Sequence, residues 1–320
     1  MSEDKKRRWS WKTRLAYGAV TIVIILAVGE CGLRILQKMH GPEVYQIGDD
    51  GCSTISFLAI GDSMTYGLGA ERDEAYPIQF KHFFDKTHLG ISAKIHNIGW
   101  AGTNTSHGLV RVREFLKHNP EEIDFAFILY GVNNRWNLNR ATFWDWDKSA
   151  KSDHLAAYVA SDLQLNKAFS LMLQSGHTAA AKMRGDYRAI QKDKGWSVFF
   201  DGFDDDLLMR WIAHDFKEIV SLLKSKDIQP VFLTYFAPRF EYLNPFIIHA
   251  AEEIGVPAID LEKPTRFYRR RRMFDSDNFH LNANGYRNVA RRLNRAFSKQ
   301  FDKQKLKPIL DAKKKDCSGG

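Results

Sequence analysis

The chain has 320 residues, 44% of them hydrophobic and 13% aromatic, which is ample material for a large buried core. Its net charge of +9 sits mostly at the ends: residues 1 to 14 carry six basic and two acidic side chains, and residues 302 to 320 carry six and three, so the ends hold seven of the nine. The stretch between is near neutral and has no nucleic-acid-binding motif, which excludes nucleic acid as a partner.

Lys5-Lys6-Arg7-Arg8, Lys12 and Arg14 precede an apolar stretch from Leu15 to Gly29. Those 15 residues fall short of the roughly 20 that span a bilayer, but extension to Leu36 suffices if Glu30 lies near the far interface and the Arg34 head group snorkels. The expectation is a basic cytoplasmic segment over 1–14, an uncleaved transmembrane signal anchor over 15–36 and a linker over 37–52. A cleaved signal peptide is the rival reading, but the amphipathic stretch after Ala27-Val28-Gly29 is unlike a mature terminus. The Lys and Arg excess puts the N-terminus in the cytoplasm and the rest of the chain outside, in the periplasm or at the cell surface. Of three cysteines, Cys31, Cys52 and Cys317, the last two lie outside the expected core and can pair in an oxidising compartment.

Beyond the anchor, strand and helix signals alternate, as a parallel sheet with crossover helices requires. A short apolar strand, Phe57 to Ile60, stops at Gly61-Asp62-Ser63. Tyr76, Phe80, Phe83 and Phe84 recur at helical spacing, and Asp85 and His88 close that pattern as a solvated helix end. Leu109, Val112, Phe115 and Leu116 mark the next helix, and the apolar run Phe125 to Tyr130 ends at Gly131-Val132-Asn133-Asn134. From 135 to 203 lies an insertion with Trp136, the cluster Phe143-Trp144-Asp145-Trp146-Asp147 and an apolar helical pattern through Leu155, Tyr158, Val159 and Leu163. It either caps a site or packs as a helical addition. Leu208, Ile212, Phe216, Ile219 and Leu223 mark a longer helix, followed by a strand from Val231 to Tyr235. A helix near 245–254 and a strand at 257–261 come next. Arg269-Arg270-Arg271-Arg272 reads as a solvated loop, with an anionic headgroup or glycan as the alternative partner. A last helix, 283–297, starts behind an Asn282 cap, and the tail 302–320 reads as Lys-rich and disordered.

Ser63 is displayed where a strand ends. A serine hydroxyl is a poor nucleophile at neutral pH, so it needs a base, an orienting acid and donors for an oxyanion. His280 has a carboxylate, Asp277, three residues upstream and leads into helix-start chemistry, so Asp277 orients and His280 acts. The glycines of Asn97-Ile98-Gly99-Trp100-Ala101-Gly102-Thr103-Asn104 allow close backbone approach, which makes the Gly102 N–H a donor; Asn133 and the Ser63 N–H are the others. No Cys, His and carboxylate cluster has metal-ligand spacing, and no cofactor is expected. No G-x-S-x-G elbow occurs, which argues against the α/β-hydrolase fold.

Taken in order, G-D-S, N-x-G-x-x-G-x-N, G-x-N and D-x-x-H-L-N-x-x-G-Y resemble the SGNH branch of the GDSL hydrolase family, from about Ser53 to Phe301. The resemblance implies a flavodoxin-like three-layer α/β/α sandwich with a mainly parallel sheet over 53–301. It also implies Ser63 as nucleophile, Asp277 and His280 as its triad partners, and Gly102 and Asn133 with the Ser63 N–H as the oxyanion hole. Asn134 departs from the family, where an Asp is usual, and the expected effect is on local turn bonding. The implied activity is ester hydrolysis through an acyl-enzyme, on an ester-bearing small molecule, glycan or lipid. Alternatives are O-acyl transfer to cell-envelope or exported polysaccharide and a non-catalytic envelope scaffold.

Overall fold

A computed structural model of the chain describes residues 11–39, 44–48, 50–119, 122–135, 137–148, 205–236, 243–263, 267, 271–276 and 279–318. Residues 1–10, Trp136, the insertion from 149 to 204, Arg269, Arg270 and Asp277 therefore lie outside the described residues. Two units divide the chain, one of Met1–Gly41 with Val159–Gly195 and one of Pro42–Tyr158 with Trp196–Gly320.

The first unit contributes helix α1 (Trp11–Met39). Along it Val20, Ile22, Val23, Ile24, Ile25, Leu26 and Val28 are 50–66% exposed. Among the described residues no helix is long and apolar enough to cross a membrane, so the span expected over 15–36 is not recovered as such. The unbroken apolar run is short, and Glu30 and Arg34 fall within the stretch needed to lengthen it.

The second unit is built on a six-stranded sheet in the order β1-β3-β2-β4-β5-β6. β2 (Thr54–Gly61) is buried at all eight positions, as a central strand covered on both faces must be. It pairs in parallel with β3 (Ser92–Asn97) and with β4 (Phe125–Leu129). β4 pairs in parallel with β5 (Gln229–Leu233), and β5 with the two-residue β6 (Ala258–Ile259). The sheet is mixed at one edge, where β1 (Tyr45–Ile47) runs antiparallel to β3 within the segment expected to be linker.

Strand alternation sorts the core into two faces. Phe57, Phe125 and Phe127 share one, where the Phe57 ring lies 5.1 to 5.3 Å from Phe80 and Phe84 of α3 (Tyr76–Thr87) and Phe297 of α8 (Ala283–Gln300). Phe232, paired with Ile128, points the opposite way and meets Phe216 of α6 (Asp205–Lys224) at 4.7 Å. α6 packs there beside α4 (Thr105–His118). Short α2 (Ser63–Tyr66) and α5 (Phe143–Trp146), and α7 (Asn244–Ile254), complete the layers. All five apolar residues predicted along α6 are buried, as are Tyr76, Phe80 and Phe84 of α3.

Two readings are corrected. The tail is helical: α9 (Lys303–Ser318) buries Leu306 and Leu310, which lie four residues apart on one face. Lys313 pairs with buried Asp124 at 2.9 Å, and Cys317 forms a disulfide with Cys52. Nor is His88 solvated: it is buried, stacks on Phe84 at 4.2 Å and brings Nδ1 to 3.1 Å from the Phe84 carbonyl. Asp85, beside it, accepts the Ala93 N–H at 2.8 Å and so starts β3.

Candidate active site

β2, β3 and β4 lie side by side and parallel, so the loops leaving their carboxyl ends meet at one edge of the sheet. β3 lies on one side of β2 and β4 on the other, and the helices that follow β2 and β3 take opposite faces. That is a switch point, where α/β sheets open a crevice. The loops there carry Ser63, Gly102 and Asn133.

Gly61 ends β2 because nothing larger fits: a Cβ there would collide with Thr65 Oγ1 and come within 2.7 Å of the Leu129 carbonyl. Asp62 then caps α2, its Oδ1 accepting the Met64 N–H at 2.9 Å, and Ser63 is the first helical residue. Ser63 Oγ lies 2.9 Å from His280 Nε2, although the two residues are 217 positions apart in sequence. Both are buried, Ser63 at 6% and His280 at 8% exposure.

The His280 loop is held on both sides. Asn282 donates its side-chain amide to the Arg272 and Phe274 carbonyls, and its Oδ1 accepts the Gly285 N–H to cap α8. Asp275 N–H donates to the His280 carbonyl at 2.9 Å. The Phe279 ring stands edge-on to the imidazole at 4.7 Å. Gly69, at φ +100°, presses against the loop so closely that a Cβ would come within 2.6 Å of the Leu281 carbonyl.

The two segments expected to supply oxyanion donors are tied to the Ser63 turn and to each other. Asn97 donates to the Thr65 carbonyl at 2.8 Å and accepts the Gly99 N–H at 2.9 Å, while Trp100 N–H donates to the Gly61 carbonyl at 3.0 Å. Gly102 follows in the left-handed region at φ +73°. Asn133 sits in a 3₁₀ turn, Val132–Arg135, and donates to the Thr103 carbonyl at 2.9 Å. Among the described residues neither the Ser63 nor the Gly102 N–H has a hydrogen-bond partner. Trp100, 40% exposed, forms part of the rim, edge-on to Tyr66 at 5.9 Å.

Sequence reasoning missed Tyr235, which follows β5 one strand beyond the Asn133 loop. Its hydroxyl donates to Asp62 Oδ2 at 2.5 Å and accepts the Val132 N–H at 3.1 Å. The one signal was a polar aromatic at the end of a strand neighbouring the site. Asp62 is fully buried, and that burial pushes its carboxyl up to about 6, against the lowering effect of Tyr235, the Met64 N–H and His280. Asn134 is buried too: its Oδ1 accepts the Thr105 N–H at 3.1 Å and its Nδ2 donates to Thr105 Oγ1 at 2.7 Å. The departure from the family pattern therefore reaches beyond its own turn.

A three-layer α/β fold with a buried serine and histidine in contact at the switch point defines a serine hydrolase site. The model of the GDSL-like lipase/acylhydrolase family matches residues 59–287, a stretch that includes all four sequence blocks, and the chain belongs to that family. It is an SGNH/GDSL-type serine esterase by class. No curated protein matches the chain. Among solved structures it is similar to a psychrotrophic esterase, EstA, from Pseudoalteromonas sp., at 10% identity and TM-score 0.46, covering 77% of this chain and 98% of that one. It is also similar to a lipase/acylhydrolase from Enterococcus faecalis, at 14% identity and TM-score 0.45, over 77% and 96% of the two chains. A two-domain esterase active on acetylated mannans resembles it at 16% identity and TM-score 0.43, over 77% of this chain and 49% of that one. Likenesses of this size say nothing of its substrate.

Proposed function

We propose that this chain hydrolyses esters of acylated carbohydrate or lipid outside the cytoplasm, through an acyl-enzyme on Ser63. The observation that carries the reading is the 2.9 Å contact between Ser63 Oγ and His280 Nε2 in a buried setting. Ser63 attacks the ester carbonyl as its proton passes to His280 Nε2. The oxyanion that forms is met by the Ser63 and Gly102 N–H groups and by the Asn133 amide, whose two N–H bonds leave one beyond the Thr103 contact. His280 then protonates the leaving alcohol, and water, activated by His280, releases the acid. Asp277 is assigned as the orienting acid by the resemblance of its block to the family motif.

The place of action is part of the proposal. The Cys52–Cys317 disulfide favours an oxidising compartment. The exposed apolar side chains of α1, behind the basic run Lys5 to Arg8, favour attachment to a membrane with the N-terminus on the cytoplasmic side.

The test is hydrolysis of p-nitrophenyl esters of increasing chain length by the full chain in detergent, with Ser63→Ala alongside. Turnover that depends on Ser63 supports the reading and gives the acyl preference. A folded protein with no turnover, which transfers acyl groups only when a glycan acceptor is added, replaces hydrolysis with transfer. Fractionation of expressing cells with a carbonate wash tests the attachment: recovery of the protein in the soluble fraction would refute it.

A further inference from the structure

Asp215 has no part in the chemistry described above, yet it is a fully buried carboxylate surrounded by donors. Thr105 Oγ1 and Ser106 Oγ donate to its Oδ2 at 2.5 and 2.7 Å, and Thr142 Oγ1 donates to its Oδ1 at 2.6 Å. His214 Nδ1 lies 3.4 Å from the same Oδ1. Thr105 and Ser106 form the first turn of α4, immediately after the Gly102 loop; Thr142 precedes α5. Ser106 Oγ in turn accepts from Trp211 Nε1 at 2.8 Å and from the Thr142 N–H at 3.1 Å. One anion from α6 thus gathers the start of α4 and the loop that follows the Asn133 turn.

The Thr105 hydroxyl has a single proton. Since it goes to Asp215, the oxygen is left to accept, and what it accepts from is Asn134 Nδ2. Asn134 closes a two-point clamp by taking the Thr105 N–H on Oδ1. A carboxylate at 134 could hold the N–H, but it would have nothing to donate and would set a second buried anion against the same hydroxyl. The arrangement therefore admits one carboxylate beside Thr105, not two.

We propose that Asp215 is a positioning residue for the oxyanion donors. By fixing the direction of the Thr105 O–H it fixes Asn134, and through the Asn134–Thr105 clamp it holds the Asn133 turn in register with the Gly102 loop. The inference rests on the assignment of Gly102 and Asn133 as donors. It predicts that a carboxylate at 134 takes over the Thr105 part of the role once Asn stands at 215, while the Ser106 hydroxyl, which already accepts from Trp211 and the Thr142 N–H, is left without an acceptor for its own proton.

The experiment is the cycle of Asp215→Asn, Asn134→Asp and the double exchange, read by steady-state kinetics on p-nitrophenyl acetate, by melting temperature and by amide hydrogen exchange of 103–106 and 132–135. Each single change is expected to lower kcat roughly 10- to 100-fold with KM within about twofold, because misplacement by an ångström or less is enough for such losses. The double exchange is expected to recover kcat about tenfold over the worse single and to melt below the unaltered chain, because the Ser106 hydroxyl still lacks its acceptor; the exchange rates rise in both singles, and those of 132–135 fall back in the double. Losses that multiply in the double, or an Asp215→Asn protein that melts lower but keeps its kcat, overturn the proposal and leave Asp215 a structural residue. If a single variant fails to fold, the folding and kcat of the double decide the matter. If the unaltered chain shows no Ser63-dependent turnover, the esterase reading fails by itself, and the hydrogen-exchange pattern still supports or overturns the coupling.

Discussion

The Tyr235 hydroxyl donates to Asp62 Oδ2 at 2.5 Å and accepts the Val132 N–H at 3.1 Å, so one side chain at the end of β5 joins the residue before Ser63 to the residue before Asn133. The proposed nucleophile and the proposed oxyanion donor are thereby referred to the same oxygen. Tyr235→Phe keeps the ring and removes the oxygen, leaving a buried carboxylate oxygen and a buried N–H without it. The expected cost is about 1–3 kcal/mol of stability, read from urea unfolding, together with a lower kcat. A variant with unchanged midpoint and kcat would show that the relay has no role.

Asp62 itself has a pH signature. Its carboxyl stands at about 6 in the folded chain against 3.8 for the free group, so the folded state keeps this proton where the unfolded state has lost it. Stability from the protonated form is complete below 3.8 and is lost as pH rises through 6. The span corresponds to ~3 kcal/mol. Asp62→Asn removes the titration, so the unfolding free energy of the unaltered chain minus that of the variant should fall by about that amount between pH 3.5 and 7. A difference that stays flat over this range contradicts the shift.

Much of this arrangement was legible in the sequence wherever it was local. Two of the four blocks, G-D-S and G-x-N, fall at the ends of apolar runs, and most of the apolar stripe residues of α3, α4 and α6 are buried where their spacing put them, with Phe83 and Leu116 half-buried. β3 gave no such signal, because its buried positions include Lys94 and His96, which break the apolar pattern of an interior strand. β1 is three residues long, too short for alternation to register. Tyr235 and Asp215 act on partners 173 and 110 residues away, and a polar contact at that range leaves no periodicity to read. The C-terminal helix was hidden by composition: its lysines dominate, while two leucines and one cysteine dock it.

Asn133 offers the most direct kinetic test of the oxyanion assignment. In the resting site one of its N–H bonds is held by the Thr103 carbonyl, which fixes the amide before substrate arrives. Asn133→Ala should lower kcat on the order of 100- to 1,000-fold with little change in KM, since the interaction it removes forms chiefly in the transition state. Full activity in a folded variant would remove Asn133 from the site.

The docking of α9 predicts that residues 302–320 are part of the domain. Leu306 is fully buried, so Leu306→Ala should cost about 2–5 kcal/mol. Lys313 has a distinct role. Burial raises the Asp124 carboxyl, and the Ser56 N–H and Lys313 lower it again, with Lys313 at 2.9 Å and the Ser56 N–H at 2.7 Å. Lys313→Met strands that carboxylate, at an expected cost of about 3 kcal/mol, and Asp124→Asn in the same chain should restore much of it. Cys317→Ser opens the clamp to Cys52 and should cost about 2–4 kcal/mol, a loss that reductant reproduces in the unaltered chain but not in the variant. All three are read from urea midpoints, and deletion of 302–320 without a change in midpoint would show α9 to be dispensable to the fold.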